Sequence, residues 1–204
     1  LGLLSLSAGD YACLAPLAQA LFDKLSGFRA SLSLPSLRLE ALNPQLLEIL
    51  NHERKTGVTL APEAGSERLR RVINKGNSLG DLDASLDLVF ANRWNNVKLY
   101  FMMGLPTETD EDILAMAELA KKAQQKARGQ GQGRARITIS VSTFIPKPFT
   151  PFQWRPMLDG AEIRRRRELL KSALAQAKVQ YKFHDEGQSL VEGFLARADR
   201  RAFK

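Results

Sequence analysis

Residues 98–112 (Lys-Leu-Tyr-Phe-Met-Met-Gly-Leu-Pro-Thr-Glu-Thr-Asp-Glu-Asp) constrain the fold of this chain more than any other stretch. Residues 99–103 are an unbroken apolar run, suited to a strand buried on both faces, and Gly104 and Pro106 break it. Thr109, with Asp112 three residues on, then reads as the opening of a helix. A buried strand leading through a glycine turn to a helix is where α/β proteins place ligands; it is equally an ordinary connection.

The pattern recurs along the chain. Residues 2–7 read as a short buried strand, and Asp10 can cap a helix carrying Leu14, Leu17, Ala18, Leu21, Phe22 and Leu25 at helical spacing. Residues 29–34 read as the next strand, closed by Pro35 and Ser36, with Asn43-Pro44 opening the following helix. Residues 57–61 are a third strand ended by Pro62, and Ser66 can cap a helix packing through Leu69, Val72 and Ile73, with a glycine stop at Gly76. A further helix spans about 79–93, with Leu82, Leu86, Val89 and Phe90 inward. After the 99–103 strand come a helix over 110–126, a glycine-rich basic loop over 127–136 and a β-branched strand over 137–145. The proline-rich segment 146–156 is expected to be extended; a helix over 160–178, a strand over 179–183 and a helix over 190–199 finish the chain.

Strand and helix thus alternate about five times, with connections long enough for right-handed crossovers, the signature of a parallel sheet or barrel. The turns at Gly9-Asp10, Pro35-Ser36, Glu63, Gly104 and Phe144 to Lys147 all follow strands, and in such a fold they share the functional face.

Composition narrows the chemistry. The 204 residues hold one cysteine, Cys13, and two histidines, which excludes a disulfide framework or a multi-cysteine metal site built by this chain alone. No secretory pattern and no apolar run near about 18 residues is present, so a cytoplasmic protein without membrane contact is expected. Residues 1–120 carry 11 Lys/Arg against 15 Asp/Glu, and residues 121–204 carry 19 against 7. The basic half, with Arg164 to Arg167 in one run, admits contact with nucleic acid; four consecutive arginines point all round a helix, which favours a solvated or interdomain surface.

Several of these turns resemble motifs of the radical S-adenosylmethionine (SAM) superfamily. Leu6-Ser-Ala-Gly-Asp10 is similar to its glycine-glycine-acid motif, with one glycine and Asp in place of Glu. Ala61-Pro-Glu-Ala-Gly-Ser-Glu-Arg-Leu, ending in Asn74-Lys-Gly76, resembles its fourth-strand segment. Phe101-Met-Met-Gly-Leu-Pro-Thr-Glu108 is similar to its fifth-strand motif, and residues 140–152 resemble its sixth strand and proline-rich exit. The Pro-Lys-Pro-Phe-Thr-Pro-Phe-Gln-Trp segment and the ending Leu190-Val-Glu-Gly-Phe-Leu-Ala-Arg-Ala-Asp-Arg-Arg look like an uncharacterised group carrying an N-terminal cobalamin-binding-like domain.

The resemblance implies an α/β fold, a partial (β/α)6 TIM-like barrel truncated at its N-terminus. Residues 1–156 would form the barrel lacking its first strand, and 157–204 a C-terminal helical extension. It implies an enzyme that, as a longer parent, reductively cleaves SAM to a 5′-deoxyadenosyl radical, with the fragment alone inactive. The alternatives are a methylthiotransferase-like enzyme acting on RNA or a ribosomal protein, and a non-catalytic basic nucleic-acid-binding module. Implied cofactors are SAM and a 4Fe-4S cluster whose CxxxCxxC ligands are absent from this sequence, with cobalamin open for the full-length protein. Implied partners are the missing N-terminal part, an electron donor such as flavodoxin or ferredoxin, and an unidentified substrate. Carried over residue by residue, the SAM-binding positions are Gly9, Asp10, Ser36, Arg38, Glu63, Ser66, Lys75, Met103, Gly104, Phe144 and Ile145. Glu108 is expected to brace its loop, Cys13 to be a structural helix residue, and no catalytic residue is assigned.

Overall fold

The computed structural model describes residues 11–25, 27–28, 46, 49, 57–76 and 78–203. The expected strands at 2–7 and 29–34, and the helix opening at Asn43-Pro44, lie outside the described residues. Described elements run α1 (Leu14–Leu25), β1 (Val58–Glu63), α2 (Glu67–Val72), α3 (Leu79–Ala91), β2 (Asn96–Met103), α4 (Asp110–Gly129), β3 (Arg136–Thr143), α5 (Gly160–Leu174), β4 (Val179–Phe183) and α6 (Glu186–Arg197), with a 3-10 turn at Arg200–Phe203. The four strands form one parallel sheet in the order β1-β2-β3-β4, flanked by helices, as a partial TIM-like barrel requires. None of the described helices is long and apolar enough to cross a membrane.

The chain divides into two compact units, one drawn from Leu1–Pro62, Asn77–Leu99 and Lys122–Thr138, the other from Glu63–Gly76, Tyr100–Lys121 and Ile139–Lys204. In the first, Leu82, Leu86, Val89 and Phe90 of α3 are buried as their spacing predicts. Ser78 caps α3 in a reciprocal box with Asp81, whose carboxyl the Ser78 backbone N–H and hydroxyl hold below the usual range. Lys122 and Lys126 bridge to Asp83 and Asp87 at 2.6 Å each, tying α4 to α3. In α1 only Leu14 and Ala18 are fully buried; Leu17 is exposed despite its helical spacing. Cys13 precedes α1 on a turn and is exposed, so it is not the helix residue expected.

In the second unit, Ala64, Leu69 and Leu105 form a core covered by Ile73, Met102 and Phe144. Val72, expected inward, is exposed, and Arg70 takes its place in the interior. Helix α2 closes in a Schellman motif: Lys75 N–H bonds to the Arg70 carbonyl at 2.8 Å and Asn74 N–H to Arg71 at 3.1 Å. The left-handed residue there is Asn74 (φ 55°), so the stop comes two residues before the expected Gly76.

Three other expectations are corrected. Strand β1 continues through Pro62 to Glu63, since an edge position leaves proline's missing N–H without a cost to the described sheet. Strand β2 alternates, with Val97, Leu99, Phe101 and Met103 buried and Tyr100 exposed, so it is not buried on both faces. The proline-rich segment is extended only to about residue 147; Thr150 Oγ1 donates to Lys147 at 2.7 Å and Gln153 N–H to Thr150 at 3.1 Å, folding it into turns.

Candidate functional site

The site is built at the C-terminal ends of β1, β2 and β3, within the second unit. Glu63, the last residue of β1, has φ 68°, a left-handed conformation that costs a residue with a side chain about 1–2 kcal/mol. Its carboxylate and the Lys75 ammonium lie 3.4 Å apart, both partly exposed at 27% and 23% of their side-chain surface. A strained backbone that presents an accessible acid–base pair at a strand end is the kind of outlier found at ligand sites.

The turn behind Glu63 is fixed from three directions. A Cβ on Gly65 would overlap the Asp112 carbonyl and lie 2.5 Å from the Met116 amide nitrogen, so only glycine lets this loop meet α4. Ser66 caps α2 by accepting from Leu69 N–H at 3.1 Å, and its hydroxyl donates to Asp112. Asp112 also accepts from Thr109 N–H at 2.8 Å and from Arg68. Burial opposes ionisation of Asp112, but the bonds from Ser66, Thr109 and Arg68 outweigh it and hold its carboxyl below the usual range. Under the loop, the buried Arg70 donates to the Ala64 carbonyl at 3.0 Å and to Gly65 at 3.4 Å. Its Nε and Nη2 have no partner among the described residues, and desolvation lowers its affinity for the proton, partly offset by Glu67.

The second turn follows β2. Gly104 has φ 91°, and a Cβ there would sit 2.8 Å from Leu158 Cγ. Glu108 accepts from Gly104 N–H at 2.6 Å and from Arg166 Nη1 at 2.5 Å, with its side chain fully buried. Burial pushes the Glu108 carboxyl up to about 7, against the opposing pull of the Gly104 amide and Arg166. Its Oε1 has no partner among the described residues. Glu108 therefore braces the loop, in the position expected of it. The third turn, after β3, places Phe144 N–H on the Met103 carbonyl at 2.8 Å and the Phe144 ring edge-on to Phe152, centroids 6.1 Å apart. Phe152 covers Phe144, whereas Trp154 is 88% exposed.

Of the positions carried over from sequence, Glu63, Ser66 and Lys75 come together on the β1 turn, Met103 and Gly104 end β2, and Phe144 and Ile145 follow β3. Met103 is buried, so what it offers outward is backbone. Gly9, Asp10, Ser36 and Arg38 lie outside the described residues. Spacing alone missed Arg70, the Asp112 hub and the Arg166–Glu108 pair; each joins residues far apart in the chain, and only the cap signature at Thr109-Asp112 hinted at one of them.

The arginine run of α5 is engaged within its own unit. Arg164 pairs with Glu186, Arg165 with Asp110 and Glu162 at 2.7 Å each, and Arg166 with Glu162 at 2.7 Å as well as Glu108. Arg167 donates to the His184 carbonyl and lies 5.2 Å over the Phe183 ring.

The donor set tests the two implied groups differently. A carboxylate and an ammonium side by side suit the hydroxyl, amino and carboxylate groups of SAM. For an iron–sulfur cluster the residues do not fit. Cys13 is the only cysteine in the sequence, and among the described residues no three His, Cys, Asp or Glu side chains gather as a metal site.

Comparison with known proteins identifies the family. The family model for the radical SAM superfamily matches residues 4–120, more than half of the chain. An uncharacterized protein of Methanocaldococcus jannaschii is 34% identical over 202 residues, covering 99% of this chain and 42% of its own length. The chain therefore spans less than half of that relative. A solved structure of a Thermus thermophilus protein, described as soaked with ZnCl2, has a TM-score of 0.41 and 17% identity over 89% of this chain and 65% of that one. With strand-end turns of this form and a family match of this extent, the chain belongs to the radical SAM superfamily.

Proposed function

We propose that this chain supplies the SAM-holding wall of a radical SAM enzyme, with Glu63 and Lys75 as its polar contacts and the backbone at Met103, Gly104, Phe144 and Ile145 bordering the adenine. The observation that carries the reading is the left-handed Glu63 at the end of β1, its carboxylate turned to Lys75 on an accessible edge. Glu63 would accept hydrogen bonds from hydroxyl or amino groups, and Lys75 would meet a carboxylate. Ser66, Gly65 and Arg70 hold the turn, so the contacts are fixed before a ligand arrives. SAM, when bound to a cluster-bearing enzyme of this superfamily, supplies a 5′-deoxyadenosyl radical; the chain's own share is binding, orientation and exclusion of water.

Because Cys13 is the sole cysteine here, radical chemistry is assigned to a longer polypeptide that carries cluster-binding cysteines beside this segment. Such a protein, reconstituted with iron and sulfide, reduced anaerobically and given SAM, should form 5′-deoxyadenosine, and Glu63→Gln should slow it at least about tenfold, the loss of roughly one charge-assisted bond. No 5′-deoxyadenosine from a cluster-loaded, reduced protein would refute the enzyme reading. Cobalamin association and the methylthiotransferase-like alternative rest on resemblance, and the same assay separates them by product when substrate is supplied.

A further inference from the structure

Within the first unit, the loops leading into β2 and β3 form a concave surface of about 610 Å³, lined by residues that include Arg93, Asn95, Gln130, Gln132 and Arg134. The segments of the same unit that contain the lining residues, 88–99 and 126–138, hold Arg93, Lys98, Lys126, Arg128, Arg134 and Arg136 and no Asp or Glu. The nearest acid in sequence, Asp87, is already bonded to Lys126 at 2.6 Å and to Gln130 at 3.2 Å. Arg128, Arg134 and Arg136 are exposed, and among the described residues their side chains have no hydrogen-bond or ion-pair partner. The arginines of α5, by contrast, all have partners.

The backbone holds this surface in shape. Helix α3 ends with Arg93 left-handed (φ 57°), Arg93 N–H on the Phe90 carbonyl at 2.9 Å and Trp94 N–H on Val89 at 3.2 Å, a second Schellman motif. Gln132 N–H bonds to Ala127 at 2.8 Å, Gln132 Nε2 donates to the Phe90 carbonyl, and Arg136 N–H bonds to Asn95 at 2.7 Å, so the two loops are tied together. The glycine-rich stretch is thus a braced loop, part of which is the last turn of α4.

From these three arginines without a described partner, Arg134 lining the surface and Arg128 and Arg136 in the segments beside it, which carry no acid of their own, we infer that this surface binds the phosphate backbone of a nucleic acid. Unpaired guanidiniums attract phosphates by charge and by bidentate hydrogen bonds, and a neighbouring carboxylate would weaken both effects. The two aromatic residues of these segments that flank the loops, Phe90 and Trp94, are buried, so bases find no ring to stack on there. Recognition is therefore of the backbone and tolerant of sequence. The inference does not depend on the SAM reading.

Fluorescence anisotropy of the 204-residue chain with a labelled mixed-sequence single-stranded RNA, titrated from about 50 mM salt upward, tests it. Replacing Arg128, Arg134 and Arg136 together by Gln should reduce the slope of log K against log salt by about 2, at about 0.7 per lost phosphate contact, and replacing them by Lys should retain it. Arg155→Gln, an exposed arginine of the other unit, should leave the slope unchanged. Circular dichroism melts of each variant check that the fold is intact. Absent binding at low salt, an unaltered slope in the folded triple Gln variant, or an equal loss in Arg155→Gln would overturn the assignment. So would equal binding to phosphatidylglycerol vesicles that compete with the RNA.

Discussion

Glu108 should make the stability of this domain fall as the solution passes from mild acid to neutrality. Its side chain is fully buried, with Oε2 bonded to Gly104 N–H and Arg166 and Oε1 without a described partner. Burial raises its pKa from 4.5 to about 7. Below pH 4.5 the carboxyl is protonated in both the folded and the unfolded chain, and the favourable term is fully present. Between 4.5 and about 7 the unfolded chain gives up the proton while the folded one keeps it, so that term is lost as pH rises through the folded pKa. The displacement is worth about 3 kcal/mol by linkage. Denaturant unfolding of the chain and of Glu108→Gln should be followed from about pH 4.5 to 8, because taking their difference removes the contribution of every other group. The wild-type chain should lose about 3 kcal/mol relative to the variant across that range. A difference independent of pH, or a wild-type chain that gains on the variant as pH rises, would refute the reasoning and show that Arg166 outweighs desolvation.

Gly65→Ala should destabilise the fold by more than about 3 kcal/mol, since its Cβ meets backbone of α4 and not a movable side-chain end; a change under about 1 kcal/mol in the unfolding free energy would contradict this. Ser66→Ala should cost about 1–2 kcal/mol through the lost cap and should speed hydrogen exchange at the Leu69 amide. Leu69→Ala, in the Ala64–Leu105 core, should cost about 2–5 kcal/mol, read from denaturant melts. Glu63→Gly should leave stability unchanged or raise it by about 1 kcal/mol by releasing the left-handed strain, while weakening SAM binding.

Much of the second half of the fold is legible from periodicity, because α3, β3, α5 and β4 each carry local signals that the structure keeps. Ser66, Ser78 and Thr109-Asp112 are caps that the residue types announce. What local reading misses is set by contacts distant in sequence. Arg70 is buried in place of Val72 because the carbonyls of Ala64 and Gly65 need a donor beneath them, and nothing in the helical spacing says so. Asp112 looks like a capping residue and also ties down Ser66 and Arg68, more than 40 residues away. The α5 arginines read as a solvated face, and the structure pairs them with acids up to 58 positions distant. The site follows the same division: motifs mark Glu63, Lys75 and Gly104, whereas the strain at Glu63 and the burial of Glu108 emerge only from the folded backbone.

The central claim, that SAM is held at the end of β1, is tested most directly by titrating SAM into the isotopically labelled chain and following its backbone amides by NMR. The account predicts shifts concentrated at Glu63, Lys75, Gly104 and Phe144, absent at residues 128–136, and abolished by Glu63→Gln. Shifts confined to other residues, or a pattern unchanged by Glu63→Gln, would contradict it.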